Sequence, residues 1–448
     1  MRTFALLERF FRFSENGTNL RTEMVAGTTT FMTMAYIIFV QPAVLSLAGM
    51  DTGAVMVATC LSSALGSLLM GLMANYPVAL APALGENFFF VYTVVLGMQI
   101  GWQKALGAVF ISGVLFFILT LFKIREGILN AVPPALKGGI AVGIGLFITF
   151  IGLNQAGLVQ KSAGGVVEIG NLRSGPVLLA LAALLVTAWF TIRKVKGAIL
   201  WGMVVSSLGA FGLGWLSLPS SPVSLPPSLK PTLFRLDIPG ALSLGLGTVI
   251  FVFLFMDLFD TLGTLIGVGD AAGMLDEKGR LPRATSALMA DSIATVGGAL
   301  LGTSTVSSYV ESATGVNEGG RTGMTAVVTA FWFLVALFFS PWVSLIGKGI
   351  MVNGTLLHPI TSPALIMVGA LMVKSITRVP WDDLTESFPA FLTMVGMPFT
   401  YSIADGLALG FISYPVLKLL SGRGREVSWL MYTLGALFVM RYLFFSAA

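Results

Sequence analysis

Apolar runs of bilayer-spanning length recur along this chain from Val25 to its C-terminal end. The pattern predicts spans at 25–47, 54–74, 84–97, 103–123, 136–156, 175–193, 196–217, 241–269, 283–302, 303–316, 322–346, 361–376, 388–403, 405–421 and 427–446. A hydrocarbon core needs about 20 apolar helical residues, so 84–97 and 303–316 are too short to cross alone. Both follow stretches that resist regular helix: NYPVALAPALG at 75–85, with Pro77 and Pro82, and GTSTVSS at 302–308. Non-helical backbone survives at membrane depth only where protein buries it or it lines a cavity. Two such interruptions in matching halves of a chain point to a solute site.

The halves do correspond. ALGSLLMG at 64–71 resembles TVGGALLG at 295–302, sharing Gly66/Gly297, Leu69/Leu300 and Gly71/Gly302 at an offset of 231 positions. Each run is followed by an interrupted segment, predicted to be a half-helix. The proline-rich stretch 219–240 then reads as a linker between a first repeat, 25–218, and a second, 241–448. Seven spans per repeat is an odd number, so the second repeat runs inverted. The segment 427–446 is left over, either spanning or lying on the surface.

Composition makes the membrane assignment independent of any window. Hydrophobic residues make up 56% of the 448 and charged residues only 10%, against about a quarter charged in soluble domains. The 52 glycines suit closely packed, interrupted membrane helices. One cysteine, Cys60, and one histidine, His358, exclude a disulfide framework and argue against a His/Cys metal site. The net charge of +5 comes from basic residues at span ends, not from a nucleic-acid-binding surface. Residues 1–24 read as a cytoplasmic amphipathic surface helix. Lys123, Arg125 and Lys137, then Arg193, Lys194 and Lys196, then Lys278, Arg280 and Arg283 follow the fourth, sixth and eighth spans. Arg321, Lys374, Arg378, Arg423 and Arg425 continue the alternation. The pattern predicts a multi-pass inner (plasma) membrane protein with a cytoplasmic N-terminus.

Ionisable side chains within spans are costly and point to function. Asp257 and Asp260, in FMDLFDTLGT, lie three apart and share one side of a helix. Thr261, Gly263 and Thr264 suggest a helix interruption there, with Asp260 as its cap. Glu311 is expected within the second half-helix, facing a ligand. In the first, Gly85 shapes the start, Asn87 offers an amide, and Phe88, Phe89 and Phe90 are candidates for stacking on a flat ring. Glu86 is open between facing the site, capping the helix and pairing with a base. Asp291 reads as a helix-packing group, Asp51 as a surface group and His358 as interfacial. Carboxylates accept from ring N–H groups, half-helix N–H groups donate to ring carbonyls, and a carboxylate removed from water takes up a proton more readily.

Four segments carry a family resemblance: AGTTTFMTMAYIIFVQP at 26–42, ALAPALGENFF at 79–89, DLFDTLGTLIGV at 257–268, and 281–323 with its GTST and YVES strings. Together they resemble the AzgA-type adenine/guanine/hypoxanthine permeases of the nucleobase–cation symporter (nucleobase–ascorbate transporter) family. The resemblance implies an all-α polytopic fold of about fourteen spans in two inverted repeats. It implies a core domain (25–123 and 241–346) and a gate domain (136–217 and 361–448), with half-helices at the third and tenth spans. Substrate contacts would fall to Asp257, Glu311, Asn87, Gly85 and Phe88, with support or proton coupling from Asp260, Glu86, Thr305 and Ser308. The implied activity is import of hypoxanthine, guanine and adenine by proton symport, with uracil, xanthine or an inorganic anion as the alternative cargo. No catalytic residue, metal or cofactor beyond the coupling proton is implied. The expected partners are the purine base, the bilayer and, as an assembly, a homodimer. At the third span the family pattern is closer to GMGLN, where this chain reads ALGEN at 83–87.

Overall fold

A computed structural model of the chain describes residues 2–122, 132–162, 164, 166–219, 221–242, 246–276, 281–347, 349–352 and 354–444. Helix α1 (Arg2–Phe11) is followed by α2 (Leu20–Met34), α3 (Ile37–Ser46) and α4 (Thr52–Leu69). Strand β1 (Leu80–Pro82) leads into α5 (Leu84–Phe88), then α6 (Trp102–Leu121) and α7 (Pro134–Gln155). π-helical turns extend α4 over Met70–Ala74 and α5 over Phe89–Gly97. The hairpin β2 (Val159–Lys161) and β3 (Val167–Ile169) precedes α8 (Gly175–Ile192) and α9 (Ala198–Gly212). Next come α10 (Ile238–Ala241), α11 (Gly247–Ala271), α12 (Ala284–Leu301) and β4 (Val306–Ser308). Short α13 (Ser312–Asn317) is followed by α14 (Gly323–Ala336) and α15 (Ser340–Gly347). A hairpin of β5 (Ile350–Val352) and β6 (Thr355–Leu357) leads to α16 (Ser362–Met372), α17 (Leu384–Thr400), α18 (Ile403–Leu420) and α19 (Trp429–Phe444).

Among the described residues nine helical stretches are long and apolar enough to cross a membrane, and Leu84–Gly97, Ala198–Gly212 and Trp429–Met440 form shorter apolar helices. Two packing groups emerge. Helices α2, α4, α6, α12 and α14 pack on one another, and α11 joins them against α6. Helices α7, α16, α17 and α18 form the other group, which α8, α9 and α19 complete. The proline-rich stretch lies along the first group: Phe234 N–H donates to Leu300 C=O at 2.8 Å and Asp237 N–H to Gln103 C=O at 2.9 Å.

Three expectations change, and two further segments find their packing partners. The N-terminal surface helix ends at Phe11 and does not extend to residue 24. Buried Glu23, in the first turn of α2, accepts from the N–H groups of Arg321, Thr322 and Thr325 and from the Thr325 hydroxyl. It thereby satisfies the free donors at the start of α14, so the first span reaches back to Leu20. The 303–316 segment is not a half-helix from its start. Residues 306–308 form β4, and only 312–317 coil, because β4 finds backbone partners in β1. Helix α11 runs unbroken through Thr261, Gly263 and Thr264, so Asp260 is a mid-helix residue and caps nothing. A glycine interrupts a helix only where neighbours cannot hold it, and the cost of one is about 1 kcal/mol. His358, read as interfacial, is buried at the end of α7, where its backbone N–H donates to Gln155 C=O at 2.8 Å. The leftover segment 427–446 becomes α19, which lies antiparallel along α18. Tyr432 OH reaches Gly424 C=O beyond the end of α18, while Tyr442 OH reaches Asp405 near its start. Lys123, Arg125, Lys278 and Arg280 lie outside the described residues.

A charged cluster closes the ends of α17 and α18. Fully buried Lys418 pairs with Glu386 at 2.7 Å and Glu426 at 3.0 Å. Arg423 pairs with Asp383 at 2.7 Å and Glu426 at 2.8 Å. Hydrogen bonds from Thr385 and Arg423 hold the Asp383 carboxyl well below the usual range. Arg423 and Lys418 hold Glu426 down to about 2.

Candidate functional site

Strands β1 and β4 pair antiparallel, Leu80 with Ser308, Ala81 with Ser307 and Pro82 with Val306. Their backbone bonds satisfy groups that lipid could not. All six residues are buried, so the two interruptions cross inside the protein. Ala83 N–H extends the ladder to Thr305 C=O at 2.9 Å, and Tyr309 OH closes on Pro82 C=O at 2.6 Å. Helix α12 can stop abruptly before β4 because Gly302 takes a left-handed φ of +97°.

The candidate residues surround this crossing. From α5, Gly85 sits between the two packing groups: a Cβ there would lie 3.1 Å from Ile144 Cγ2 on α7 and 3.5 Å from Met256 Cε on α11. Glu86 is 2% exposed, turns towards its own N–H and Asp260, and keeps Oε1 without a partner. Among the described residues no basic side chain pairs with it. Asn87 is held in place: it exchanges amide hydrogen bonds with Gln41 and accepts from the Ser304 hydroxyl. Gln41 Nε2 also donates to Thr303 Oγ1 at 2.9 Å, so α3 ties both interrupted segments together. Phe88 is buried and stacks on Tyr92 with centroids 5.8 Å apart, while Phe89 meets Phe253 edge-on at 4.8 Å.

From α11, buried Asp257 accepts from Thr295 Oγ1 at 3.1 Å, and its Oδ1 has no partner. Asp260 accepts from Ser307 Oγ at 2.9 Å but is exposed. Gly263, Gly267 and Asp270 continue its exposed stripe, and nothing stands within 4 Å of a Cβ placed at either glycine. Exposed Ile266 lies on the same stripe, between Asp260 and Asp270. Beyond β4, Glu311 stands at the start of α13 and accepts from Tyr36 OH at 2.7 Å. The Thr305 and Ser308 hydroxyls are buried with no partner, as is one oxygen of Asp291. Partnerless buried groups each cost about 1–3 kcal/mol, which a ligand able to bond them would recover.

Tyr36, Gln41, Thr261, Asp291, Thr295 and Ser307 were not among the sequence candidates for a site role. Tyr36 and Gln41 did carry a signal, as polar groups in the apolar run AYIIFVQP.

Residues 21–409 match the sequence profile of the Permease family (Xan_ur_permease). The chain belongs to this family. A permease of Methanocaldococcus jannaschii is 54% identical over 98% of this chain and 99% of its own length. Adenine permease AdeP of Escherichia coli is 46% identical over 99% and 97%. Guanine/hypoxanthine permease PbuG of Bacillus subtilis is 45% identical over 98% and 100%. The resemblance to nucleobase permeases read from four segments thus holds along the chain. Among solved structures, the transmembrane domain of a cyanobacterium bicarbonate transporter, BicA, superposes with a TM-score of 0.64, covering 86% of the permease and 97% of that domain. Its 16% identity makes this a likeness of fold alone. The permease is a multi-pass membrane transporter and not an enzyme.

Proposed function

We propose that the permease imports purine nucleobases, hypoxanthine, guanine and adenine, by proton symport with alternating access. The observation that carries this reading is the meeting of Glu86, Asp257, Asp260 and Glu311 with the unpartnered Thr305 and Ser308 hydroxyls around the β1–β4 crossing. The relatives named for adenine and for guanine/hypoxanthine transport support the purine class.

Asp257 and Glu311 accept ring N–H donors in this reading, from α11 on one side and the start of α13 on the other. Thr305 and Ser308 offer hydroxyls to ring carbonyl oxygens. Gly85 leaves room at the seam, Asn87 lines it under the hold of Gln41, and Phe88 forms its wall. An anion carrier needs positive charge at its site, whereas the ionisable groups gathered at this one are acidic, so the anion alternative is disfavoured despite the fold likeness.

The two packing groups correspond to a core domain (25–123 and 241–346) and a gate domain (136–217 and 361–448), related as two inverted seven-span repeats with the N-terminus in the cytoplasm. Movement of one group against the other at Gly85 and Ile144 would alternate access. Uptake of labelled hypoxanthine, guanine and adenine, with competition by uracil, xanthine and bicarbonate, tests the cargo. A protonophore tests the coupling: it should abolish accumulation, and equilibration unaffected by it would refute symport.

A further inference from the structure

Asp291 reads from sequence as a packing group, yet it is fully buried in a reciprocal arrangement with α11. Asp257 on α11 accepts from Thr295 on α12 at 3.1 Å, and Asp291 on α12 accepts from Thr261 on α11 at 2.7 Å. In both helices the aspartate precedes its threonine by four residues, so two antiparallel turns exchange hydroxyl-to-carboxylate bonds. The two bonds set Asp257 and Asp291 about one helical turn apart on facing helices, and among the described residues Asp257 Oδ1 and Asp291 Oδ2 have no hydrogen-bond partner. The other charged groups acting on the pair are Glu86 from α5 and Asp260 from α11, both acidic. Two carboxylates so placed, away from any cation, keep one proton between them.

A continuous path joins this pair to the exposed face of α11. Asp260, on the exposed stripe of α11, accepts from Ser307 Oγ at 2.9 Å. Ser307 Oγ is 3.0 Å from Thr261 Oγ1, which donates to Asp291 at 2.7 Å. Building on the symport reading, we infer that the Asp257–Asp291 pair is the proton-binding site, loaded from the exposed face of α11 through Asp260, Ser307 and Thr261. A proton arriving on Asp260 makes it a donor, so the Ser307 hydroxyl turns its proton from Asp260 to Thr261 Oγ1. Ser307 Oγ then takes the Asp260 proton as its own passes to Thr261. The Thr261 proton passes to Asp291. Each hydroxyl accepts one O–H bond and gives up another, so one proton enters at Asp260, one arrives at the pair, and both hydroxyls are reoriented. The loaded pair presents an O–H beside Asp257, and the substrate's N–H groups meet a partner whose charge has changed.

Two readouts on the protein in liposomes decide this. Infrared spectroscopy without substrate should show a protonated-carboxyl C=O band at neutral pH that D291N removes and that takes up deuterium more slowly in T261V and S307A. In transport, T261V and S307A should retain base counterflow without a gradient while uptake driven by a pH gradient falls about tenfold or more, and T261S should restore it. A band unchanged in D291N, or wild-type deuteration and gradient-driven uptake in both hydroxyl variants, overturns the inference. A wild type that exchanges no base defeats the purine reading, and the infrared band still decides the proton site.

Discussion

Asp257 and Glu311 differ in what a neutral substitute would leave behind. Among the described residues Asp257 has one oxygen bonded and one without a partner, while Glu311 accepts from the Tyr36 hydroxyl. D257N and E311Q keep shape but replace an ionic acceptor, a loss of about 1.5–3 kcal/mol for each bond made to substrate. Accumulation of purine should fall at least about tenfold with membrane insertion unchanged; near-normal uptake in both variants removes them from the site. E86L restores the commoner family pattern and removes a carboxylate beside Asp260. It should change the relative uptake of adenine against guanine, and an unchanged ratio in competition assays would leave Glu86 a helix-start residue only. At this scale the sequence was legible where a lone charge broke an apolar run, as at Asp257, Glu86 and Glu311. Thr261, Thr295 and Ser307 were illegible, because hydroxyls are ordinary in membrane helices and only a tertiary partner distinguishes them. Asp291 was read as a helix-packing group, and its bond from Thr261 across two helices is such a contact.

Between residue and domain, the charged cluster behind α17 and α18 is the element most exposed to a single change. Removing Lys418 strands Glu386 in a largely buried position, which typically costs about 3–5 kcal/mol. K418M should lower the melting temperature in detergent, and adding E386Q should recover part of the loss. Glu426 responds to pH in a defined direction. Its folded value near 2 lies below the ordinary 4.5, so its contribution is complete above about 4.5, shrinks as pH falls and is gone below about 2. E426Q should flatten that part of the melting-temperature profile against pH. Lys418 was detectable beforehand as a lysine in FISYPVLKLL. The strand pairing was not: proline and hydroxyl-rich stretches announce that helix stops, but the partner that replaces it lies in the other half of the chain.

For the whole molecule, the nine long apolar helices among the described residues fall where the pattern placed spans, because hydrocarbon thickness sets a minimum length for a crossing helix. The fate of 427–446 was not legible, since a helix of its length and composition can lie on a membrane or cross it. Its packing decides: Met431, Leu434 and Phe438 form its buried face, and its two tyrosines touch opposite ends of α18. If α19 spans alongside α18, exposed Arg425 and Leu443 fall on opposite sides of the bilayer. Because the native Cys60 is buried, R425C and L443C can be labelled selectively with an impermeant thiol reagent. Labelling of both from the same side would place α19 on the surface.

The β1–β4 crossing also governs when this protein becomes competent. Its strands come from opposite halves of the chain, and the backbone of each is at membrane depth with its partner in the other. During synthesis the first half must therefore wait, with peptide groups near Leu80 and Pro82 lacking their final partners, until residues beyond 300 have been inserted. Closing so long a loop is slow, and a half-finished chain is the species most open to misassembly. The candidate site therefore cannot form until residues 306–308 of the second half are in place.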